Sequence, residues 1–290
     1  MNISQTSLTT SPDPSLGLAR RNAVVLSASY ALVGACAPVA ISLGGIVGHY
    51  LLAVDKSLAT APVTAFNIGV ALGALPAALL MRLVGRRYGF MAGAMVTATG
   101  GLVAASALFR SEFWLFAAGL LVIGLGGAFV QQYRFAAADN APDSFKAQAI
   151  SWVLIGGIFA AIIGPQTVIF TRDLFEPVLF AGAFVSVIGL AAIGLLVLSF
   201  LRVHENTVLL DHEKEEPARP LREILSQRRF VTALACGVCS FALMSFMMTG
   251  APLAMIGCGY STDLATLGIQ WHVVAMFAPS FFTGRLIARF

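Results

Sequence analysis

Two short stretches carry the side chains best suited to gripping a solute. The first, "QQYRFAAAD" (Gln131–Asp139), ends a long apolar run with two amides, a phenol and a guanidinium. Gln131, Tyr133 and Arg134 together offer hydrogen bonds and a positive charge to an anionic or oxygen-rich solute. Arg134 is the one basic residue that apolar context surrounds, and a cation so placed is a functional candidate by default. Two plainer readings stay open: its guanidinium snorkels out of the apolar layer, or it pairs with Asp139. The second stretch, "IQWHVVAMFAPS", places Gln270, Trp271 and His272 side by side. Trp271 can stack on a planar ligand and His272 can donate a hydrogen bond or titrate, although an aromatic residue facing lipid is the plainer reading. Asn67 adds a neutral amide inside another apolar run, with Tyr30, Ser27, Trp152, Gln166 and "SFMMTGAP" as lesser candidates.

These are chemistries of recognition, not of bond-making. The chain has no HExxH, no serine in a GxSxG context and no pair of aspartates facing across apolar runs, so an enzyme is not expected. Cys236 and Cys239 have CxxC spacing, but no second pair or nearby histidine completes a metal set. With Cys36 and Cys258 they read as small packing residues. No metal and no cofactor are expected.

The elements that must position these residues follow from composition. Of 290 residues 58% are hydrophobic and 11% charged, against the roughly one quarter charged of soluble domains. Several uncharged runs reach the ~20 residues that cross a ~30 Å hydrocarbon layer as helix. The runs are continuous rather than alternating, which specifies helices and not a barrel. An all-α integral membrane protein is expected, with lipid as its surroundings. The net charge of +4 sits in short loops, which is an orientation signal rather than a nucleic-acid surface.

Eight runs can be drawn: 23–47, 60–81, 90–109, 113–138, 147–170, 178–201, 230–256 and 264–283. A polar tail, 1–22, precedes them, and the run after it is too long for a cleaved signal core. The connection 202–229, "RVHENTVLLDHEKEEPARPLREILSQRR", divides a six-span bundle (23–201) from a two-span piece (230–290). Within it Leu221, Ile224 and Leu225 have the spacing of a short helix on the membrane surface, with a solvated connector as the alternative. With the amino terminus in the cytoplasm, the outside holds only Lys56, Arg110 and Arg172, and the other fifteen of the 18 basic residues fall inside. A multi-pass protein of a bacterial inner membrane, both termini cytoplasmic, is expected.

"ALLMRLVGRR" (Ala78–Arg87) and "GRLIARF" (Gly284–Phe290) each stand where an even-numbered span emerges on the cytoplasmic side. Both resemble the signature loop of the major facilitator superfamily, G-x-x-x-D-R-x-G-R-R. Gly85, Arg86 and Arg87 match in the first copy, while Arg82 stands at the aspartate. Gly284 and Arg289 match in the second, with Ala288 at the aspartate. Span five, "GGIFAAIIGPQ", is similar to the family's glycine pattern ending in Gly-Pro, with Ala160 for one glycine. "GLGGAF" (Gly124–Phe129) is similar to part of its span-four motif, without the arginine.

The resemblance implies twelve spans in two halves around a solute site near mid-membrane, and rocking of the halves about it. The five signature-loop residues would act as a cytoplasmic gate, their arginines pairing with carboxylates or helix C-termini of the neighbouring half; merely setting topology is the plainer reading. It also implies a chain stopped inside its second signature loop, and a product of this length is expected to transport little. All fourteen acidic residues lie in loops, tails or span ends, so the usual buried proton-coupling carboxylate is missing from these eight spans. "FMMTGAPLAM" and "WHVVAMFAPSFFTGRLI" are similar to a bacterial branch that includes riboflavin importers. The expected partner is a small organic solute, with hydrophobic-drug efflux as the alternative and no obligate protein partner evident.

Overall fold

A computed structural model describes residues 14–53, 55–139, 141–202 and 221–279. Every regular element among them is a helix: α1 (Pro14–Val33), α2 (Cys36–Leu51), α3 (Ala61–Arg110), α4 (Phe113–Val130), α5 (Tyr133–Asp139), α6 (Lys146–Thr171), α7 (Ala181–Leu198), α8 (Leu221–Ser226), α9 (Arg228–Gly257) and α10 (Thr262–Phe277). The polar connection does contain a short helix, α8; residues 203–220 lie outside the described part.

Six of these stretches are long and apolar enough to cross a membrane, with α1 and α2 taken together and α4 joined to α5. One of the six, α3, is 50 residues long. A straight helix of that length measures about 75 Å, more than twice the hydrocarbon thickness. It folds back at Gly85, whose φ of 80° is the conformation that glycine adopts without steric cost. The fold-back brings Gly89 against Met81, and a Cβ on that glycine would lie 2.5 Å from Met81 Cγ. Expected spans two and three are therefore one helical hairpin. The eighth expected run is described only as α10, 16 residues; the remainder lies among residues 280–290.

Close glycine contacts fix the relative directions of the spans. Gly69 and Gly73 meet Leu121 and Leu125, so the first arm of α3 runs parallel to α4, while Gly93 and Gly100 meet Phe129 and Ile123, so its second arm runs antiparallel. Gly156 meets Ser27, and Gly164 meets Ala35, which makes α6 parallel to span one. These small residues let backbones approach where lipid, as apolar as leucine, provides no hydrophobic drive. Span one differs from its expected form. It starts at Leu16 and is broken at Gly34–Ala35, where Ala35 N–H bonds Leu32 O at 3.2 Å, one residue short of helical spacing.

Two apolar clusters, one around Leu43, Phe116 and Phe184 and one around Phe90, Phe129 and Tyr133, fill the six-span bundle. A third, of Ala161, Met248, Ile269 and Val273, ties α6 to α9 and α10. Arg21 donates to Phe200 O at 3.1 Å, and Asn22 Nδ2 to Arg202 O at 2.7 Å, which puts the ends of α1 and α7 on one face with Arg86, Arg87 and Lys146. Lys56, Arg110 and Arg172 stand at the other ends of the helices, so the molecule has an arginine-rich face and an opposite face.

Candidate functional site

A cavity of about 1050 Å³, its open mouth included, lies between the six-span bundle and the α9–α10 pair. Span one contributes Tyr30 and Cys36, α3 contributes Asn67 and Thr97, α4 ends on it with Gln131, and α6 adds Gly157 and Ala160. The other wall is Phe241, Met244, Ser245, Met248 and Thr249 from α9, and Val273, Met276 and Phe277 from α10. None of the lining residues among those described is charged. Such a cavity can take a neutral solute with a large apolar face and a few polar edges. A free ion would lose its hydration there without a counter-charge.

Of the expected site residues, Asn67 and Gln131 line this cavity. Asn67 Nδ2 donates to Val63 O at 3.2 Å, which leaves its amide oxygen without a partner among the described residues. Gln131 is the residue that ends α4, and it is exposed to the cavity. Tyr133 is fully buried behind the wall, its hydroxyl unpartnered among the described residues, and meets Tyr30 edge-on at 6.4 Å between ring centroids. Arg134 stands beside a second, small pocket of about 180 Å³ shared with Tyr30 and Gln131, its guanidinium 4.8 Å from the Phe135 ring centroid. It does not pair with Asp139, which is taken by Arg86.

Trp271 and His272 require a correction: neither lines the cavity, and both are exposed, Trp271 by 66%. The cause is the ~100° turn per residue of a helix. Gln270 is buried against α6, so its two successors are rotated away from the interior. Gln270 instead accepts a hydrogen bond from Gln166 Nε2 at 2.8 Å. Missed altogether were Phe277, Met244 and Gly157. Gly157 had a signal, since it neighbours the span-five glycine pattern; Phe277 had none.

The signature-loop arginines also find partners other than those expected. Arg86 pairs with Asp139 at the end of α5, and Arg87 donates to Ser199 O, just past the last turn of α7, at 2.7 Å. Both partners belong to the six-span bundle itself, not to the neighbouring half. The Ser199 bond satisfies a helix-terminal carbonyl with a cation, the favourable sign for that end of a helix dipole. Gly85 supplies the bend that aims both arginines, and Gly284 and Arg289 lie outside the described residues. Cys236 and Cys239 are exposed on α9 rather than packed, and Cys36 is buried.

On the opposite face the two parts are joined directly. Arg172 Nη1 lies 2.6 Å from Asp263 Oδ1, tying the end of α6 to the first turn of α10. Gln166–Gln270 lies deeper in the same seam. Both pairs fit one antiparallel register, in which residue numbers sum to 436 and 435. α9 and α10 meet the six-span bundle mainly through α2 and α6, and Phe277 of α10 also reaches Tyr30 of α1. The Arg172–Asp263 and Gln166–Gln270 pairs both bridge the seam between α6 and α10 on the side of the opposite face.

Comparison with known proteins agrees with this architecture. The family profile described as Major Facilitator Superfamily matches residues 23–290. The chain is 52% identical over 273 residues to a riboflavin transporter, RfnT, of Brucella anthropi, covering 94% of this chain and 68% of the relative. It is 28% identical to YdeG of Bacillus subtilis, an uncharacterized MFS-type transporter, over 96% of this chain and 67% of that one. YddS of the same organism, described in the same words, is 26% identical over 97% and 67%. The chain thus spans about two thirds of the length of these relatives. No solved structure matches significantly.

Proposed function

The chain belongs to the major facilitator superfamily of membrane transporters, and on that premise we propose that it carries riboflavin into a bacterial cell. The observation that carries this reading is the 52% identity to a protein named as a riboflavin transporter, extending over 94% of the chain. The cavity supports it: riboflavin is a neutral fused-ring solute with polar edges, and the described lining residues offer amides, hydroxyls, methionines and aromatic rings without a charge. In this reading Asn67 and Gln131 hold the polar edges of the ligand. Tyr133 acts through Tyr30, and Arg134 stands at the arginine-rich mouth. The excess of cations on that face argues for its being cytoplasmic, with both ends of the chain there and the bacterial inner membrane as the site. The six-span bundle (23–201), the connection (202–229) and 230–290 are then the moving parts.

Equilibrium binding of riboflavin to the purified chain tests the substrate. Saturable binding is expected, weakened about tenfold in Gln131→Ala through the loss of a hydrogen bond to a buried polar edge. No saturable binding by the wild type would refute it. The methionine and phenylalanine lining also favours a second reading, efflux of a hydrophobic compound. The direction of flux in oriented vesicles separates the two.

A further inference from the structure

Tyr30 and Phe277 touch across the cavity from opposite sides of the molecule. One is on α1 in the six-span bundle and the other on α10. Their ring centroids are 6.1 Å apart with planes at 81°, and both rings line the cavity. Two glycines make room for them. A Cβ on Gly157 would lie 2.8 Å from Tyr30 Cε1 and 2.9 Å from Phe277 Cε1, and a Cβ on Gly34 would lie 2.8 Å from Tyr30 Cδ2. No side chain other than hydrogen fits under both rings as they stand. Behind Tyr30, Tyr133 meets it edge-on and is itself held by Phe90 at 4.7 Å, so the ring has an aromatic backing.

An edge-to-face pair presents one ring face and one ring edge to the same space. A flat ligand entering that space can stack on the face while the other ring swings aside. Because each ring belongs to a different bundle, their separation also changes whenever the bundles move. We propose that Tyr30 and Phe277, seated over Gly157, are the specificity-determining pair of the cavity and receive the fused-ring face of a planar aromatic solute. This rests on the flavin reading for the ligand's identity, but the ring chemistry applies to any neutral fused-ring solute.

The test is binding to the purified chain, followed by the ligand's own fluorescence. A flavin stacked on a phenol ring is quenched by electron transfer from the phenol, which phenylalanine does not provide. Wild type is expected to bind riboflavin with quenching. Tyr30→Phe should keep the affinity and lose most of the quenching. Tyr30→Leu should lose the quenching and bind about tenfold more weakly, and Phe277→Leu should weaken binding by a similar factor, within the range of single aromatic stacking contacts. Gly157→Ala should weaken binding by displacing both rings. Thermal melts identify any variant that has simply unfolded, and Tyr30→Phe, which preserves shape, keeps the test decisive if the leucine variants do. Unchanged affinity and quenching in Tyr30→Leu and Phe277→Leu, with wild type binding riboflavin, would overturn the ring assignment alone. Should wild type bind no riboflavin but bind a neutral fused-ring coumarin dye with the same ring dependence, the pair stands and the flavin reading falls. Binding of neither ligand removes both.

Discussion

The two faces of the molecule use the same kinds of side chain for opposite purposes. On the arginine-rich face, Arg86 and Arg87 bond to Asp139 and Ser199 within one bundle and fasten no moving part to another. On the opposite face, Arg172–Asp263 and Gln166–Gln270 cross from α6 to α10 and join the two parts of the chain. A charge pair inside a bundle contributes rigidity; one between bundles biases a conformational equilibrium, because it exists in only one of the two states. In this structure the joining pairs are formed at the opposite face.

Cys36 supplies a native reporter of this difference, since it lines the cavity yet is only 1% exposed. With Cys236, Cys239 and Cys258 replaced by serine, a membrane-impermeant maleimide applied from the opposite face should label Cys36 slowly. The largest change is expected from Gln270→Leu, which strands the Gln166 amide in the seam. An unpaired buried polar group costs ~1–3 kcal/mol, so labelling should rise about tenfold. An unchanged rate would mean that the seam does not control closure. Arg172→Ala should raise labelling only a fewfold, because Asp263 is 40% exposed and water screens the pair. The exchange Arg172→Asp with Asp263→Arg should restore the slow rate, and failure to do so would sink the ionic explanation. Arg86→Ala should leave labelling unchanged and lower Tm by one or two degrees, as fits a pair whose side chains are 32% and 58% exposed. Faster labelling in that variant would erase the contrast between the faces.

The smallest effect concerns Asp143, whose carboxyl the Lys146 ammonium holds below its ordinary pKa by a hydrogen bond. A lowered folded-state pKa contributes stability above the unfolded value, and loses it as pH falls through the folded one. Asp143→Asn should match wild type in thermal melts at neutral pH within error, since the group is fully exposed. Any small difference should vanish in acid.

The crossings were legible because nearly all are long uncharged runs. Gly85 was legible only as a signature-loop match, and the structure adds that the tight reversal there uses a residue free to adopt positive φ. Which side of a helix faces inward was not. Gln270, Trp271 and His272 are neighbours in sequence, and only packing against α6 decides that Gln270 is the one turned in. In a soluble helix the polar stripe would reveal this, but lipid accepts the same apolar residues as the core. Asp139 was equally ambiguous: Arg134 is five residues away along the chain, yet the fold-back of α3 delivers Arg86 to it. Arg172 and Asp263 are 91 positions apart, and nothing local in either stretch announces the other.

The break at Gly34–Ala35 turns span one into two rods with separate attachments. The lower rod, α1, is bolted to α6 and α7, and the upper rod, α2, also leans on α9. A jointed strut of this kind can let its far end follow the second bundle while its near end stays put, so tilting one part need not drag the whole helix through its neighbours.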